Sequence, residues 1–252
     1  MKGDGDLAGE LDSWYKKICT KEFIARDPVQ FPRRYTKRED VEIAAFLSAT
    51  IAWGRRDMIL RSAEKMFALM GPSPHDFVMS GGYKKLKTAN IHRTFFEDDL
   101  KYYCKGLERC YAKYGALEKL FASAPGVWEA IALFREEMAG ANRNTYSRHI
   151  ADPGAEGENG SACKKLNMAL RWLVREGPVD LGLWKKINPA ALYIPLDVHV
   201  ARTARKLGLL ERKSNDKKAV TALTGKLRGY CPQDPVKYDF ALFGMGALKD
   251  ES

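Results

Sequence analysis

The sequence lacks the features that mark membrane-spanning, disulfide-rich and zinc-binding proteins. It has no apolar run of the roughly 18 residues that a bilayer span requires, and its first residues lack the apolar core of a signal peptide. Its five cysteines are scattered and none belongs to a Cys-x-x-Cys pair, which argues against a disulfide framework and against a zinc or iron–sulfur site. We therefore expect a cytoplasmic protein with free thiols that contacts no membrane and requires neither a metal nor another cofactor.

Acidic residues are outnumbered by basic ones. The chain has 42 Lys and Arg against 32 Asp and Glu, which gives a formal net charge of +10. This balance is typical of a protein that meets a polyanion, although it does not distinguish DNA, RNA and acidic membrane surfaces. A chain of 252 residues, 45% of them hydrophobic, is long enough to bury its own core, so we expect a single domain over residues 1–252.

Strand-like alternation is almost absent, and apolar residues recur instead at helical spacing, as in Leu100, Leu107 and Tyr111. This pattern predicts an all-α fold. The predicted helices lie near residues 7–19, 38–53, 56–70, 96–114, 125–139, 162–175, 197–207, 216–228 and 235–245. A loop rich in glycine and acidic residues at 152–160 predicts a hinge or hairpin, which could divide the domain into lobes 1–150 and 160–252.

Asp197 directly follows Pro195 and Leu196 and directly precedes an amphipathic helix, which makes it a natural N-cap. A capping carboxylate accepts backbone N–H bonds and faces the positive end of the helix, an environment that favours its negative charge. An oriented carboxylate can also stabilise a developing cation or activate a nucleophile. Taken alone, the spacing predicts no more than a cap.

A glycine turn at Gly160 leads into a helix whose first turn carries Lys164 and Lys165. Free N–H groups at such a helix start can bind a phosphate. Adjacent lysines lower each other's proton affinity, and a desolvated lysine can act as an amine nucleophile near neutral pH. The alternative is a basic helix start that is simply solvated.

Together these two segments resemble the helix-hairpin-helix DNA glycosylase superfamily. Its glycine-rich turn reads roughly GVGxK and is followed by Asn three residues after the lysine, as Gly160, Lys164 and Asn167 are arranged here. Its later VDxHxxR segment matches LDVHVAR around Asp197. The resemblance implies a two-lobed helical bundle, with Lys164 as the Schiff-base lysine of the bifunctional members and Asp197 as the catalytic aspartate. Lys165 is the alternative nucleophile, because the stretch between lysine and aspartate is longer than in the endonuclease III type.

A wider resemblance spans nearly the whole chain. Segments 43–54 and 235–246, with the lysine helix between them, are similar to an uncharacterised bacterial family, domain of unknown function 2400. Among glycosylases of known activity the sequence is most similar to the archaeal 8-oxoguanine type, which also has Ile-Pro-x-Asp before the helix. There an acid and an aromatic residue four positions later help to hold the base, and Asp239 and Phe243 match them.

A glycosylase rotates the damaged nucleotide out of the duplex, and therefore needs an apolar or aromatic pocket as well as contacts to phosphates. The pocket candidates are Trp53, Met168, Asp239 and Phe243. The candidates for DNA binding are Gly160, Arg55, Arg56, Lys185 and Lys186. For these residues the alternatives are ordinary core packing and solvated surface charge.

The resemblance implies a DNA base-excision repair glycosylase, with or without lyase activity, in the bacterial nucleoid. Its partner would be double-stranded DNA with a damaged base, and its substrate an oxidised purine such as 8-oxoguanine. Two departures leave an alternative open: Ala162 replaces the second hairpin glycine, and Thr50 replaces a glutamine that probes the opened duplex in many members. The alternative is a non-catalytic DNA or RNA binding protein on the same scaffold.

Overall fold

The computed structural model describes residues 4–155 and 157–247, and these residues are mainly helical. All nine predicted helices are confirmed, with ends that differ by a few residues. In the described ranges the α-helices are α1 (Asp4–Ile18), α2 (Lys21–Ile24), α3 (Arg38–Thr50), α4 (Arg56–Met70), α5 (Pro74–Met79), α6 (Glu97–Tyr114), α7 (Leu117–Ala122), α8 (Val127–Ala141), α9 (Lys164–Val174), α10 (Val198–Lys206), α11 (Lys217–Tyr230) and α12 (Tyr238–Ala247).

The elements absent from the prediction are short, and their apolar residues complete no recognisable period. They are α2, α5, α7, five turns of 3-10 helix and one antiparallel hairpin of strands β1 (Asn90–His92) and β2 (Phe95–Phe96). Local signals for one of them were present, since α5 has a proline at its first position and the side chain of Ser73 accepts a hydrogen bond from the Asp76 amide. Elements of this length depend on tertiary packing more than on hydrophobic periodicity.

The chain forms two compact units, one of residues Ile24–Asp152 and one that combines Met1–Phe23 with Pro153–Ser252. In contrast to the division into 1–150 and 160–252, α1 thus groups with the C-terminal residues. The reason is its close packing on α12, where a Cβ added to Gly244 would lie 2.3 Å from Cγ1 of Ile18. Glycine at this position therefore lets the two helices approach.

The unit of residues 24–152 has its core around α3, which is buried along almost its whole length. Phe46 of α3 stacks on Phe134 of α8 and lies against Phe121 of α7. Thr50, at the end of α3, donates a hydrogen bond of 2.8 Å to the Phe46 carbonyl and lies 3.1 Å from the hydroxyl of Tyr103. Thr50 is 2% exposed, so it cannot take the duplex-probing role of the glutamine that it replaces.

The predicted hinge at 152–160 is a loop that folds tightly on itself. A Cβ on Gly160 would lie 2.2 Å from the carbonyl oxygen of Pro153, so only glycine fits there. The Gly160 carbonyl also accepts a hydrogen bond of 2.9 Å from Lys217 N, at the start of α11. The described residues between Ala141, the end of α8, and Lys164, the start of α9, contain no helix, so no helix directly precedes the turn at Gly160.

None of the described helices is both long enough and apolar enough to span a membrane.

Candidate active site

Asp197 caps helix α10, as predicted. Its Oδ1 accepts hydrogen bonds of 2.9 Å from the amides of His199 and Val200, and its backbone is extended. The preceding residues anchor it, because Ile194 and Leu196 are buried. Both capping bonds use Oδ1, so Oδ2 remains available for other interactions at the half-exposed start of the helix.

Lys164 is the first residue of α9, and the turn before it is strained. Cys163 adopts a left-handed backbone conformation (φ 45°) that favours glycine, and its side chain is buried. Asn167, one turn into the helix, donates a hydrogen bond of 3.0 Å from Nδ2 to the Ala162 carbonyl and thereby ties the turn to the helix. Asn167 thus has a structural role in this turn.

Helical spacing places Lys164, Met168 and Arg171 on one face of α9, and turns Lys165 toward a different one. Both lysines are half-buried. Burial, together with the charge of Lys164, lowers the pKa of Lys165 to about 8. Lys165, the lysine with the lowered pKa, therefore does not lie on the face of α9 that carries Arg171.

Asp239 lies in the first turn of α12, and the charges of Lys164 and Asp197 both affect its carboxyl group. Burial raises the pKa of its carboxyl to about 7, although Arg171 acts to lower it. The charge of Asp197 raises this pKa further and the charge of Lys164 lowers it. The starts of α9, α10 and α12 therefore bring Lys164, Asp197 and Asp239 into one neighbourhood of interacting charges.

Asp239 is also one end of a buried chain of alternating charges that the sequence analysis missed. Its Oδ2 accepts a hydrogen bond from Nη1 of Arg171, whose Nε lies 3.3 Å from Asp180. Asp180 in turn accepts a bond of 2.6 Å from Arg175, which also binds Asp234 at 2.8 Å. The Asp180 side chain is 0% exposed and those of both arginines 5% or less, so each charge depends on its neighbours.

A sequence signal for this network existed. Arg171 lies in the last turn of α9 and Arg175 is the residue directly after this helix, and the intervening Trp172, Leu173 and Val174 are all buried. Two arginines in such a segment must either reach solvent or meet buried carboxylates. The identity of the carboxylates could not be predicted, because Asp180 and Asp234 lie in loops.

Two further predicted pocket residues, Met168 and Phe243, lie in the same unit as Asp239. Met168 is half-buried, one turn after Lys164 on α9. Phe243 is half-buried on α12 one turn after Asp239, and its ring meets Phe23 edge to face at 6.1 Å. Helix α12 packs closely on α10, since a Cβ on Gly246 would lie 2.7 Å from Oγ1 of Thr203.

The remaining predicted residues lie elsewhere. Trp53, Arg55 and Arg56 belong to the unit of residues 24–152, where Trp53 is half-buried and both arginines are exposed. Lys185 and Lys186 are exposed, and Lys185 pairs with the exposed Glu176 at 3.0 Å. Among the described residues, no group of three His, Cys, Asp or Glu side chains could hold a metal ion.

The described residues thus define a helical protein with a lysine and two aspartates at the starts of three helices. A family model described as "Protein of unknown function (DUF2400)" matches residues 27–248. The chain belongs to this family. Comparisons with curated proteins and with solved structures find no match.

Proposed function

We propose that the protein is a DNA base-excision glycosylase of the helix-hairpin-helix type that removes an oxidised purine such as 8-oxoguanine. One geometric relationship carries the proposal: Arg171 joins α9, which begins with Lys164, to Asp239 of α12, and α12 packs on α10, which Asp197 caps. Lys164 and Asp197 match the superfamily's nucleophile and catalytic aspartate. The motif residues, 33 positions apart by their numbering, share one neighbourhood in one unit of the fold.

Asp197 would stabilise the transition state. Departure of the base breaks the N-glycosidic bond, its electrons leave with the base, and positive charge develops on the sugar. A carboxylate held by two backbone amides is oriented before the reaction, and Oδ2 remains available to face that charge. The same carboxylate would stabilise the cationic Schiff base that follows.

Lys164 would be the nucleophile. Lys164 first gives up a proton to solvent, and its neutral amine then forms a bond to the anomeric carbon as the bond to the base breaks. The nitrogen passes a proton to the departing base, and the ring oxygen takes a proton from solvent as the sugar opens to a protonated Schiff base, which allows strand cleavage by elimination. Lys164 is favoured over Lys165 because it shares the α9 face of Arg171, the residue that contacts Asp239. The lowered pKa of Lys165 is the one feature in favour of the alternative.

Asp239 would contact the base. Oδ2 is engaged by Arg171, which leaves Oδ1 for a ligand. Because burial raises its pKa to about 7, the carboxyl exchanges between its neutral and ionised forms near neutral pH. It can therefore donate a hydrogen bond to an acceptor on the base or accept one from a base N–H. Met168 and Phe243, one turn from Lys164 and Asp239, would supply apolar contacts to the extruded ring.

The second candidate is a non-catalytic DNA or RNA binding protein on the same scaffold. It is favoured by the turn before α9, where Gly160 packs against Pro153 and no described helix leads into it. The backbone amides that hold a phosphate in a regular hairpin are therefore differently arranged. On this account nucleic-acid binding would persist without base release.

The experiment that tests the proposal is single-turnover base release from duplexes that each carry one lesion, with 8-oxoguanine as the first. Asp197→Asn should lose release by orders of magnitude while it retains DNA binding. Asp216→Asn is the matched control, because Asp216 caps α11 through the same kind of hydrogen bond, at 3.0 Å to Ala219 N. Binding of every duplex without release of any base would favour the second candidate.

A further inference from the structure

Trp53 lies at the centre of an ordered aromatic cluster in the unit of residues 24–152. Its indole meets the ring of His92 edge to face at 4.7 Å and stacks on the ring of His149 at 5.7 Å. The Trp53 carbonyl lies 2.9 Å from Nε2 of His92, and both histidines are buried. Trp53 itself is half-buried, so part of this residue is exposed to solvent.

Exposed cations surround this indole on the β1–β2 hairpin and its neighbours. Arg93 lies at the hairpin tip in a left-handed conformation (φ 50°), beside Gly54, where a Cβ would lie 2.5 Å from Arg93 Nη1. Arg148 donates a hydrogen bond of 2.6 Å to the Thr94 carbonyl, and Lys65 donates one to the Asn90 carbonyl. Arg148 and Lys65 are thus oriented by neutral carbonyls, and these partners do not cancel their positive charge.

Carboxylates offset only part of this charge. Asp57 forms ion pairs of 3.1 Å with Arg55 and Arg61, both of which remain largely exposed. Asp99 lies 3.5 Å from Nε2 of His149. We define the hairpin surface as Trp53, Arg55, Lys65, Arg93 and Arg148. It combines a half-buried tryptophan with four exposed cations.

We propose that the hairpin surface binds an unpaired DNA strand, with Arg93 and Arg148 on consecutive phosphates and a base stacked on Trp53. This inference rests on the proposed function, because an enzyme that extrudes a nucleotide must hold the strand that it opens. Arginine forks match phosphate oxygens, and an aromatic face among cations is the usual platform for unpaired bases. Trp53 is thereby assigned to strand binding rather than to the pocket of the damaged base.

The test uses the full-length protein and an undamaged, fluorescein-labelled DNA strand of about 12 nucleotides, followed by anisotropy over a range of salt concentrations. Arg93→Gln and Arg148→Gln should each weaken binding and reduce the slope of log affinity against log salt by about 0.7, the value for one single-strand phosphate contact. Lys105→Gln removes the same charge from the exposed face of α6 and should leave the slope unchanged.

A second measurement follows the indole. Trp53→Ala should weaken binding roughly 5- to 150-fold, the range for loss of one stacked base. Trp53→Phe should retain most of the affinity but abolish the quenching of tryptophan fluorescence by DNA. Thermal unfolding of each variant establishes that its fold is intact, and Trp53→Phe keeps the stacking test valid if Trp53→Ala is unstable.

Equal salt slopes for Arg93→Gln, Arg148→Gln and Lys105→Gln would overturn the proposal, as would unchanged quenching in Trp53→Phe. Tighter binding of an RNA strand of the same sequence would overturn the assignment to DNA. Because the strand is undamaged, the result is independent of catalysis. Loss of base release with intact strand binding would count against the proposed function alone, and intact base release without strand binding would count against the hairpin surface alone.

Discussion

Arg171 on α9 donates a hydrogen bond to the carboxylate of Asp239 on α12, and its guanidinium lies 4.2 Å from the ring centre of Phe240. One side chain thus joins the helix that begins with Lys164 to the helix that carries the proposed base contact. The same guanidinium reaches Asp180. The position of Asp239 is therefore set by the interior of the unit as well as by its own helix.

Arg171→Met should destabilise the protein strongly. It would leave Asp239 without its buried cationic partner and Asp180 with Arg175 alone, and breaking a buried pair costs about 3–5 kcal/mol. Urea unfolding measures this difference. The control is Arg61→Met, because Arg61 forms an exposed pair with Asp57 and its loss should cost about 1 kcal/mol or less. Similar losses for the two variants would contradict a structural role for the network.

The raised pKa of Asp239 predicts a pH dependence of stability. Its carboxyl titrates at 3.8 when unperturbed and at about 7 in the folded protein, so between these values the folded state holds a proton that the unfolded state has released. Stability from this group is complete below pH 4 and is lost as pH rises to 7. This loss should be absent in Asp239→Asn. The free energy of unfolding of the variant should therefore rise relative to that of the wild type from pH 4 to 7, and the difference should stay constant above pH 7. Parallel curves throughout would show that Asp239 titrates normally.

Lys165 predicts a dependence of the opposite sign. Burial lowers its pKa from 10.5 to about 8, so between these values the unfolded state holds a proton that the folded state has lost. Stability should therefore increase from pH 8 to about 10. Lys165→Met should be more stable than the wild type at pH 7 and should lack this increase. If stability still increases from pH 8 to about 10 in Lys165→Met, other groups cause the increase.

Gly246→Ala should separate α10 from α12. The added methyl group would lie 2.7 Å from Oγ1 of Thr203, and such overpacking costs about 1–3 kcal/mol. Gly229→Ala is the matched control, because Gly229 lies in α11 with nothing within 4 Å of an added Cβ. That variant should gain up to about 1 kcal/mol from better helix propensity. Equal effects in thermal unfolding would show that α10 and α12 have room to move.

The helices and the Asp197 cap could be predicted from the sequence because both follow from local rules. Apolar residues at helical spacing locate a buried face, and an aspartate before such a face caps it. The Lys164 and Asp197 motifs could likewise be recognised from spacing. Each of these inferences uses residues that are close together in the chain.

The rest depended on contacts between distant segments. The segment at Gly160 resembles a phosphate-binding turn in sequence. In the fold, Gly160 instead allows a close approach to Pro153. The Arg171 partners come from a loop and from α12, and no local pattern links them. The sequence predicts Trp53 as a pocket residue but does not reveal its ring contacts with His92 and His149. Aromatic residues look alike in a sequence whether they pack, stack or bind.

The most direct test of the central claim is borohydride trapping on a duplex that carries 8-oxoguanine, with wild type, Lys164→Ala and Lys165→Ala compared. Borohydride reduces a Schiff base to a stable covalent adduct, so it reports the attacking amine itself. We predict an adduct with the wild type and with Lys165→Ala, and none with Lys164→Ala. An adduct that survives in Lys164→Ala and disappears in Lys165→Ala, or the absence of any adduct and of base release across a lesion panel, would contradict the account.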